Sequence, residues 1–366
     1  MIGPLLPTYV FLRRAAKSGA LALALDVAVF AYAGYLLLSR SPLLVALAAP
    51  YVIAPLLVSR GPLRVYSGLA SALGLLGVLL MAQPQLYYQA IGFAIAVSSP
   101  GAVLVATPDK GSLEGLFRYF VVSTVASSLV VAGLSGGGPL GSVFVFSGIA
   151  LELGAFPAFF WVPDVFSRAS PEGLVLLSSL TKLGAALALS LLSFDVPPYV
   201  TVPLAAATML VGNLGATTSR EPGRLLGYAS VYHAGLAIAA YALYKPLAPF
   251  LMFADAVGMM GLFSYLASPG PKWTAYALAL NQVGVPPLVG FWPKLALFVL
   301  AARANLPLAI YVLGNVAWSI VYYVRLASSL EGGRRALAVA PSLFALALGL
   351  AAPLWLLPPF SLLLHH

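Results

Sequence analysis

The sequence predicts an all-α, polytopic membrane protein, and three observations indicate this fold class. Of the 366 residues, 61% are hydrophobic and only 8% are charged, whereas soluble domains carry roughly 25% charged residues. The mean hydropathy is +0.99, and the apolar residues form runs of about 20 residues, the length that a membrane-spanning helix needs. The basic residues are scattered between these runs. The pattern therefore excludes a soluble globular domain, a disordered chain and a nucleic-acid-binding protein.

About thirteen apolar segments are predicted to cross the lipid bilayer. Their approximate bounds are 19–38, 43–58, 65–82, 86–107, 115–136, 139–161, 171–194, 199–215, 225–244, 246–267, 273–302, 306–329 and 336–357. The second segment is the weakest, because it is short and contains Pro50 and Pro55. The eleventh is too long for one straight span, and Pro286 and Pro287 fall in its middle, so a broken helix is expected there.

The lysines and arginines between the segments predict the orientation of the chain. With thirteen spans, fourteen of the 19 basic residues fall on one side of the membrane, three on the other and two inside. Cytoplasmic loops carry the excess of Lys and Arg. The N-terminus is therefore predicted in the cytoplasm and the C-terminus outside, in a cell (plasma) membrane. If the second segment does not cross the membrane, twelve basic residues fall on one side and five on the other. Only the predicted side of the N-terminal end then changes.

Several ionisable residues lie deep in predicted helices. They are Asp26, Glu152, Lys182, His233, Asp255 and Lys294. Insertion scales put an Asp or Lys at a helix centre at about +2.5–3.5 kcal/mol, so such residues usually pair with each other and line ion or proton paths. The alternative is a structural role, as an ion pair that braces helices or a hydrogen-bonded core histidine. Two buried charges at an assumed ~8 Å and an effective dielectric of ~20 interact by about 2 kcal/mol.

Two segments share a break near a buried charge. The sixth contains Glu152 and Pro157, and the eleventh contains Pro286, Pro287 and Lys294. The two segments are five apart, so they run in opposite directions, which is typical of an inverted repeat with discontinuous helices in secondary transporters. A kinked helix that only packs on its neighbour is the alternative explanation.

The repeat predicts two five-helix bundles, with the broken helix fourth in each. The predicted parts of the chain are N-terminal accessory helices (1–64), a first bundle (65–194), a second bundle (199–329) and a C-terminal helix (336–366). The three prolines at the breaks, Pro157, Pro286 and Pro287, are predicted to act as hinges of the broken helices.

Four stretches resemble the antiporter-like membrane subunits of respiratory complex I, most closely subunit N (mitochondrial subunit 2). They are residues 112–119 (S-L-E-G-L-F-R-Y), similar to S-L-E-A-x-x-K-Y; 156–166 (F-P-A-F-F-W-V-P-D-V-F), similar to V-P-F-H-x-W-x-P-D-V-Y; 224–233 (R-L-L-G-Y-A-S-V-Y-H), similar to R-L-L-x-Y-S-S-I-x-H; and 284–294 (G-V-P-P-L-V-G-F-W-P-K), similar to G-I-P-P-x-x-G-F-x-x-K. The sequence Y-Y-V-R at 322–325 resembles the Y-Y-Y-L-R that closes the next helix. Order and spacing agree over about residues 86–330. The family's fourteen helices would map here with the first missing.

This resemblance implies a proton-translocating membrane-arm subunit of a complex I-type NADH (or ferredoxin):quinone oxidoreductase. The family is understood to move protons along a central line of buried charges. By their motifs, Lys182, His233 and Lys294 fall on that line, and Asp255 stands where sister subunits M and L carry a histidine. Together with Glu152, these residues form the predicted proton relay.

The chain departs from the family pattern in its first bundle. Glu152 stands where the family has a lysine, and Phe159 replaces the histidine of the proline motif. The glutamate of the family's fifth helix aligns with Ile95, so the usual glutamate–lysine pair is absent. Either the charge has moved and Glu152 partners Lys182 directly, or the first bundle has lost conduction and acts as a spacer. We favour retained transport.

Three further acidic residues have other predicted roles. Glu114, at the cytoplasmic start of the fifth segment, is either part of a solvated helix start or a point of proton uptake. Asp164 is expected to cap the next element or to pair with Arg168. Asp26 matches no family motif and is left without a role.

No redox chemistry, metal site or cofactor is expected in this chain. It has no cysteine and only three histidines, and no glycine-rich phosphate-binding loop precedes a helix. The predicted partners are protons, the lipid bilayer and the other membrane subunits of a complex I-like assembly, with no nucleic acid. Whether the chain counts as an enzyme depends on that translocase complex. The alternatives are the equivalent subunit of a membrane-bound hydrogenase or multisubunit cation/proton antiporter, and a non-conducting structural subunit.

Overall fold

A computed structural model describes residues 42–58, 62–107, 109–335 and 337–364, and these ranges are helical with no β-strand. The helices are α1 (Pro42–Leu57), α2 (Pro62–Met81), α3 (Leu86–Gly101), α4 (Lys110–Gly136), α5 (Gly138–Leu153), α6 (Trp161–Arg168), α7 (Pro171–Leu191), α8 (Pro198–Thr218), α9 (Pro222–Leu243), α10 (Leu247–Ala267), α11 (Lys272–Val283), α12 (Phe291–Ala304), α13 (Leu306–Ser329) and α14 (Val339–Leu364). The predicted all-α class is confirmed. The first predicted segment and Asp26 lie outside the described residues.

Several of the described helices are long and apolar enough to cross a membrane. They are α3 with its 3-10 extension (Leu86–Ala106), α4, α7, α8, α9, α10 and α13. Shorter apolar helices occur at Ala46–Leu57, Tyr66–Met81, Gly138–Leu153 and Val339–Ala351. The weak second segment is helical through both of its prolines, as α1. The total of thirteen spans stays a prediction.

The helices differ in how much of their surface other helices cover. α7, α9 and α10 are buried along most of their length, whereas fewer than half of the residues of α4, α8 and α13 are buried. Their exposed residues include large apolar side chains such as Phe117 on α4, Tyr199 on α8 and Ile310 on α13. An apolar outer face is what a lipid environment favours. The three buried helices therefore form the centre of the protein.

Both predicted breaks are present, and they have the same construction. α5 ends at Gly154 and α11 ends at Gly284, each in the left-handed region with φ of 75° and 90°. Glycine adopts this conformation without a Cβ clash, and both ends carry the pair of backbone hydrogen bonds of a Schellman motif. We call residues 154–160 the first break and residues 284–290 the second break. The helix resumes seven residues after each glycine, at Trp161 and Phe291.

The predicted hinge prolines all lie in the breaks. Pro157 is in the first break, and Pro286 and Pro287 are in the second. The peptide bonds Phe156–Pro157 and Pro286–Pro287 are cis. A proline has no backbone N–H and cannot continue the helical hydrogen-bond ladder, which agrees with the placement of the breaks at these residues.

The long helices α8 and α9 approach each other closely because glycines lie at their contact. A Cβ atom added at Gly212 would lie 2.3 Å from the backbone nitrogen of Tyr232, and one added at Gly235 would lie 2.7 Å from that of Met209. Small residues at helix contacts are typical of membrane proteins, where they allow backbones to pack closely.

We expect Gly212→Ala to destabilise the protein by about 1–3 kcal/mol, because the new methyl group overlaps the backbone of α9. Gly314→Ala on α13 is the matched control, since a Cβ there meets nothing within 4 Å. Alanine has a higher helix propensity than glycine, and this gain is similar for both variants. The unfolding temperature in detergent should therefore fall only for Gly212→Ala. Equal unfolding temperatures for the two variants would contradict the described helix contact.

Candidate functional site

The five residues of the predicted relay are all buried, and each comes from a different helix. They are Glu152 on α5, Lys182 on α7, His233 on α9, Asp255 on α10 and Lys294 on α12. Lys294 is the most accessible of them, at 8% exposure. Buried ionisable side chains are expensive unless they find partners. The contacts of each group therefore decide what the site can do.

Lys182 caps the helix that ends at the first break. Its amine Nζ donates a hydrogen bond to the carbonyl oxygen of Leu153, the last residue of α5, and lies 5.6 Å from the centre of the Trp161 ring. The C-terminal end of a helix carries partial negative charge, and an aromatic face also attracts a cation. A π-helical segment, Leu177–Thr181, directly precedes Lys182 in α7. Such segments are frequent at functional sites.

Glu152 lies one residue before that carbonyl but has a different partner. Its Oε1 lies 2.8 Å from the hydroxyl of Tyr119, whose single proton is shared between this carboxyl oxygen and the carbonyl of Val97. No hydrogen bond or ion pair joins Glu152 to Lys182 among the described residues, so the direct pair that one reading of the sequence proposed does not form in this structure. The two groups remain coupled by their charges.

Lys294 caps the helix that ends at the second break in the same manner. Its Nζ donates to the carbonyl oxygens of Gln282 and Val283, the latter at 3.1 Å, and lies 5.7 Å from the centre of the Tyr232 ring. Val283 precedes Gly284 as Leu153 precedes Gly154. Each break therefore has a lysine amine on the last carbonyl of the interrupted helix, although the two lysines come from different positions in the chain.

His233 and Asp255 contact each other beside the second break. His233 Nδ1 lies 3.2 Å from Asp255 Oδ1, and its Nε2 lies 3.2 Å from the carbonyl oxygen of Gln282. The side-chain amide of Gln282 donates to Asp255 Oδ1 at 2.9 Å. We call His233, Asp255, Gln282 and Lys294 the second-break cluster. They line a narrow cleft together with residues of α10 and α12.

The contacts of His233 place oxygen atoms near both ring nitrogens. Nδ1 also lies 3.0 Å from the carbonyl oxygen of Ala229, which can only accept a hydrogen bond. A proton on Nδ1 matches this contact and also lies near the Asp255 carboxylate. With Asp255 ionised, both ring nitrogens therefore have oxygen acceptors available.

Charge coupling connects the two breaks through Lys182 and Asp255. Lys182 interacts electrostatically with Glu152 and with Asp255, and Asp255 interacts with both Lys182 and Lys294. The charges of Glu152, Lys182, Asp255 and Lys294 are thus linked pairwise, and His233 lies beside Asp255 and interacts with both lysines. Such coupling in a low-dielectric interior is stronger than in water. A change of charge at one group therefore affects the next.

The acidic residues near the start of α4 lie outside this line. Glu114 is exposed and forms ion pairs with Lys110 and Arg168, as expected of a solvated helix start. Asp164 pairs with Arg168, as the sequence predicts, and also with Arg118. Proton uptake at Glu114 stays a prediction.

The part of the chain that the structure describes contains no group of three or more acidic or histidine side chains placed to hold a metal ion. Of the relay residues, only His233 and Asp255 lie within ion-pair distance of each other there. The other relay residues are joined by carbonyl contacts and by charge coupling.

Sequence reasoning missed two residues that contact the relay, Tyr119 and Gln282. Both are neutral, so a search for buried charges does not find them. A positional signal exists for Gln282, because it lies five residues before Pro287, as Glu152 lies five residues before Pro157. Tyr119 belongs to the first matched motif, but nothing in the sequence indicates which group its hydroxyl contacts.

Comparison with known proteins agrees with the motifs. Residues 130–268 match the family described as NADH:quinone oxidoreductase/Mrp antiporter, TM. NADH-quinone oxidoreductase subunit 14 of Thermus thermophilus is 31% identical to this chain over 268 residues, which are 63% of this chain and 62% of that protein. The chain thus spans less than two thirds of the length of this curated relative.

Two solved structures share the fold. A chain of respiratory complex I from Thermus thermophilus has a TM-score of 0.81 at 21% identity, covering 98% of this chain and 99% of that chain. A chain of the Mrp complex from Dietzia sp. DQ12-45-1b has a TM-score of 0.79 at 17% identity, covering 96% and 94%. The predicted resemblance to antiporter-like membrane subunits is confirmed, and the chain is a multi-pass membrane protein.

We expect Tyr119→Phe to lower stability by about 1–3 kcal/mol, because the buried Glu152 carboxylate loses a hydrogen-bond donor. Tyr199→Phe is the control, since that side chain is 78% exposed and should change stability by less than about 0.5 kcal/mol. The unfolding temperature of the purified protein measures both effects. An unchanged unfolding temperature for Tyr119→Phe would contradict the described environment of Glu152.

Proposed function

We propose that this chain, a relative of the antiporter-like membrane subunits of complex I, is a proton-translocating membrane-arm subunit of a complex I-type NADH (or ferredoxin):quinone oxidoreductase. One observation carries the proposal. Five buried ionisable side chains come from five different helices, and two of them, both lysines, donate to carbonyl oxygens at the ends of the interrupted helices. Intramembrane ionisable residues of this kind mark ion and proton paths.

The proposed relay runs along the coupled groups. A proton exchanges between Glu152 and Lys182, then reaches Asp255 and His233, and leaves through Lys294. The carbonyls at the two breaks stabilise each lysine in its charged form, and loss of a proton leaves a neutral amine with two of the three N–H donors of the ammonium. The second-break cluster is tightly packed, so exchange across it also requires a rearrangement that brings the carriers together or admits water.

The energy for net transport comes from partner subunits in this proposal. Export of one proton against ~100 mV costs about 2.3 kcal/mol, and the described residues include no group that could supply it by a chemical reaction. The partners that we propose are the other membrane subunits of the assembly. No cofactor in this chain enters the proposed mechanism.

We further propose the inverted repeat, with bundles at 65–194 and 199–329 between the accessory helices (1–64) and the C-terminal helix (336–366). The matched construction of the two breaks supports it, since the glycine, the proline three residues later and the helix restart seven residues later recur at both. The charge balance of the loops favours a cytoplasmic N-terminus and an external C-terminus in the plasma membrane.

A second candidate function is the equivalent subunit of a membrane-bound hydrogenase or multisubunit cation/proton antiporter. The name of the matching family includes Mrp antiporters, and the fold of the Mrp complex chain supports the same architecture. Purification of the tagged chain from its native membrane tests this choice. Co-purifying quinone-linked electron-transfer subunits favour the complex I type, whereas antiporter subunits without redox centres favour the second candidate.

We expect Glu152→Gln, Lys182→Met and Lys294→Met each to reduce the rate of proton transport by roughly tenfold or more, the effect of raising the barrier of a required step by about 1.4 kcal/mol. Lys272→Met is the control, because this lysine is exposed. Proton uptake into vesicles that contain the whole complex, measured with a pH-sensitive dye, provides the readout. If all three variants transport like the wild type while large deletions abolish activity, the chain is a structural subunit instead.

A further inference from the structure

Gln282 contacts all three ionisable members of the second-break cluster. Its side-chain amide donates to Asp255 Oδ1 at 2.9 Å. Its backbone carbonyl lies 3.2 Å from His233 Nε2 and accepts a hydrogen bond from Lys294 Nζ. The residue is 1% exposed, so no solvent competes for these contacts.

The carbonyl contacts of Gln282 exist for any residue at this position, but the amide contact depends on the side chain. Of the two Asp255 oxygens, Oδ1 receives the amide and faces His233, whereas Oδ2 has no protein donor among the described residues. Gly258 packs closely against the Gln282 side chain, because a Cβ added at Gly258 would lie 2.6 Å from Gln282 Cδ. The amide therefore has little freedom to rotate away.

We infer that Gln282 is a positioning residue, whose amide holds the Asp255 carboxylate with Oδ1 towards His233 and keeps Oδ2 for proton exchange with the rest of the relay. This inference rests on the proposed proton-transport function and adds to it a residue that none of the relay motifs contains. The amide cannot itself carry the proton along the line, so its contribution is the orientation of the carrier.

The first break provides a comparison for this arrangement. There the acid, Glu152, is on the interrupted helix and its donor, Tyr119, is on the neighbouring α4. At the second break the acid, Asp255, is on the neighbouring α10 and its donor, Gln282, is on the interrupted helix. Acid and donor have thus exchanged helices. An exchange of the two side chains at the second break should therefore preserve a bonded acid–donor pair.

The test measures the rate of proton transport by the complete complex in reconstituted vesicles. Gln282→Met keeps the length of the side chain and removes the amide, and we expect roughly tenfold slower transport, the factor that corresponds to one lost hydrogen bond to a charged group. Gln89→Met is the matched control, because Gln89 is also a buried glutamine but lies at the start of α3, and we expect wild-type transport.

A double variant that exchanges the acid and the amide between positions 255 and 282 distinguishes a positioning role of Gln282 from a packing role. Asp255→Asn alone should abolish transport through the cluster, and Asp255→Asn with Gln282→Glu should restore it severalfold by placing the acid opposite an amide again. This double variant keeps the test decisive even if Gln282→Met does not assemble.

Wild-type transport by Gln282→Met, or a double variant no better than Asp255→Asn, overturns the inference. If Asp255→Asn is inactive in that case, the proposed relay stands without a role for the Gln282 amide. If Asp255→Asn itself transports like the wild type, the relay through Asp255 and the inference both fail.

Discussion

Two interrupted helices within the membrane impose the constraint on which the rest of this structure depends. A helix that ends in a low-dielectric interior leaves carbonyl oxygens without intrahelical donors, and no lipid can satisfy them. Lys182 and Lys294 donate to these oxygens at the first and second breaks. The same contact solves two problems, because the helix ends gain donors and the buried amines gain negative partial charge. Charge can therefore reside in the protein interior without a full counter-ion.

The buried acidic residues act on the charge of these two lysines. Once an amine can be charged beside each break, a nearby carboxylate changes its energy by charge coupling. Glu152 is close to Lys182 without binding it, and Asp255 is coupled to both lysines. A tight ion pair would hold a proton in one place, whereas separated but coupled groups can respond to each other. The departure from the family pattern at Glu152 thus keeps an acid next to the lysine cap.

Sequence patterns predicted much of this fold. Long apolar runs indicate membrane helices, and proline and glycine within such runs indicate breaks. The break around Pro157 and that around Pro286 and Pro287 are examples. The contacts of the relay were not predictable, since Lys182 approaches Leu153 only through the packing of α7 against α5. Neutral residues such as Gln282 have no hydropathy signal, and their role depends on which side chain lies opposite.

A cryo-electron microscopy map of the assembled complex that resolves ordered water tests the central claim most directly. The account predicts both lysine amines on the carbonyls at the ends of α5 and α11, and a chain of side chains and waters with contacts within about 3.5 Å from Glu152 through Lys182 and Asp255 to Lys294. Lysine amines turned towards lipid, or dry apolar packing between Lys182 and Asp255, would contradict it.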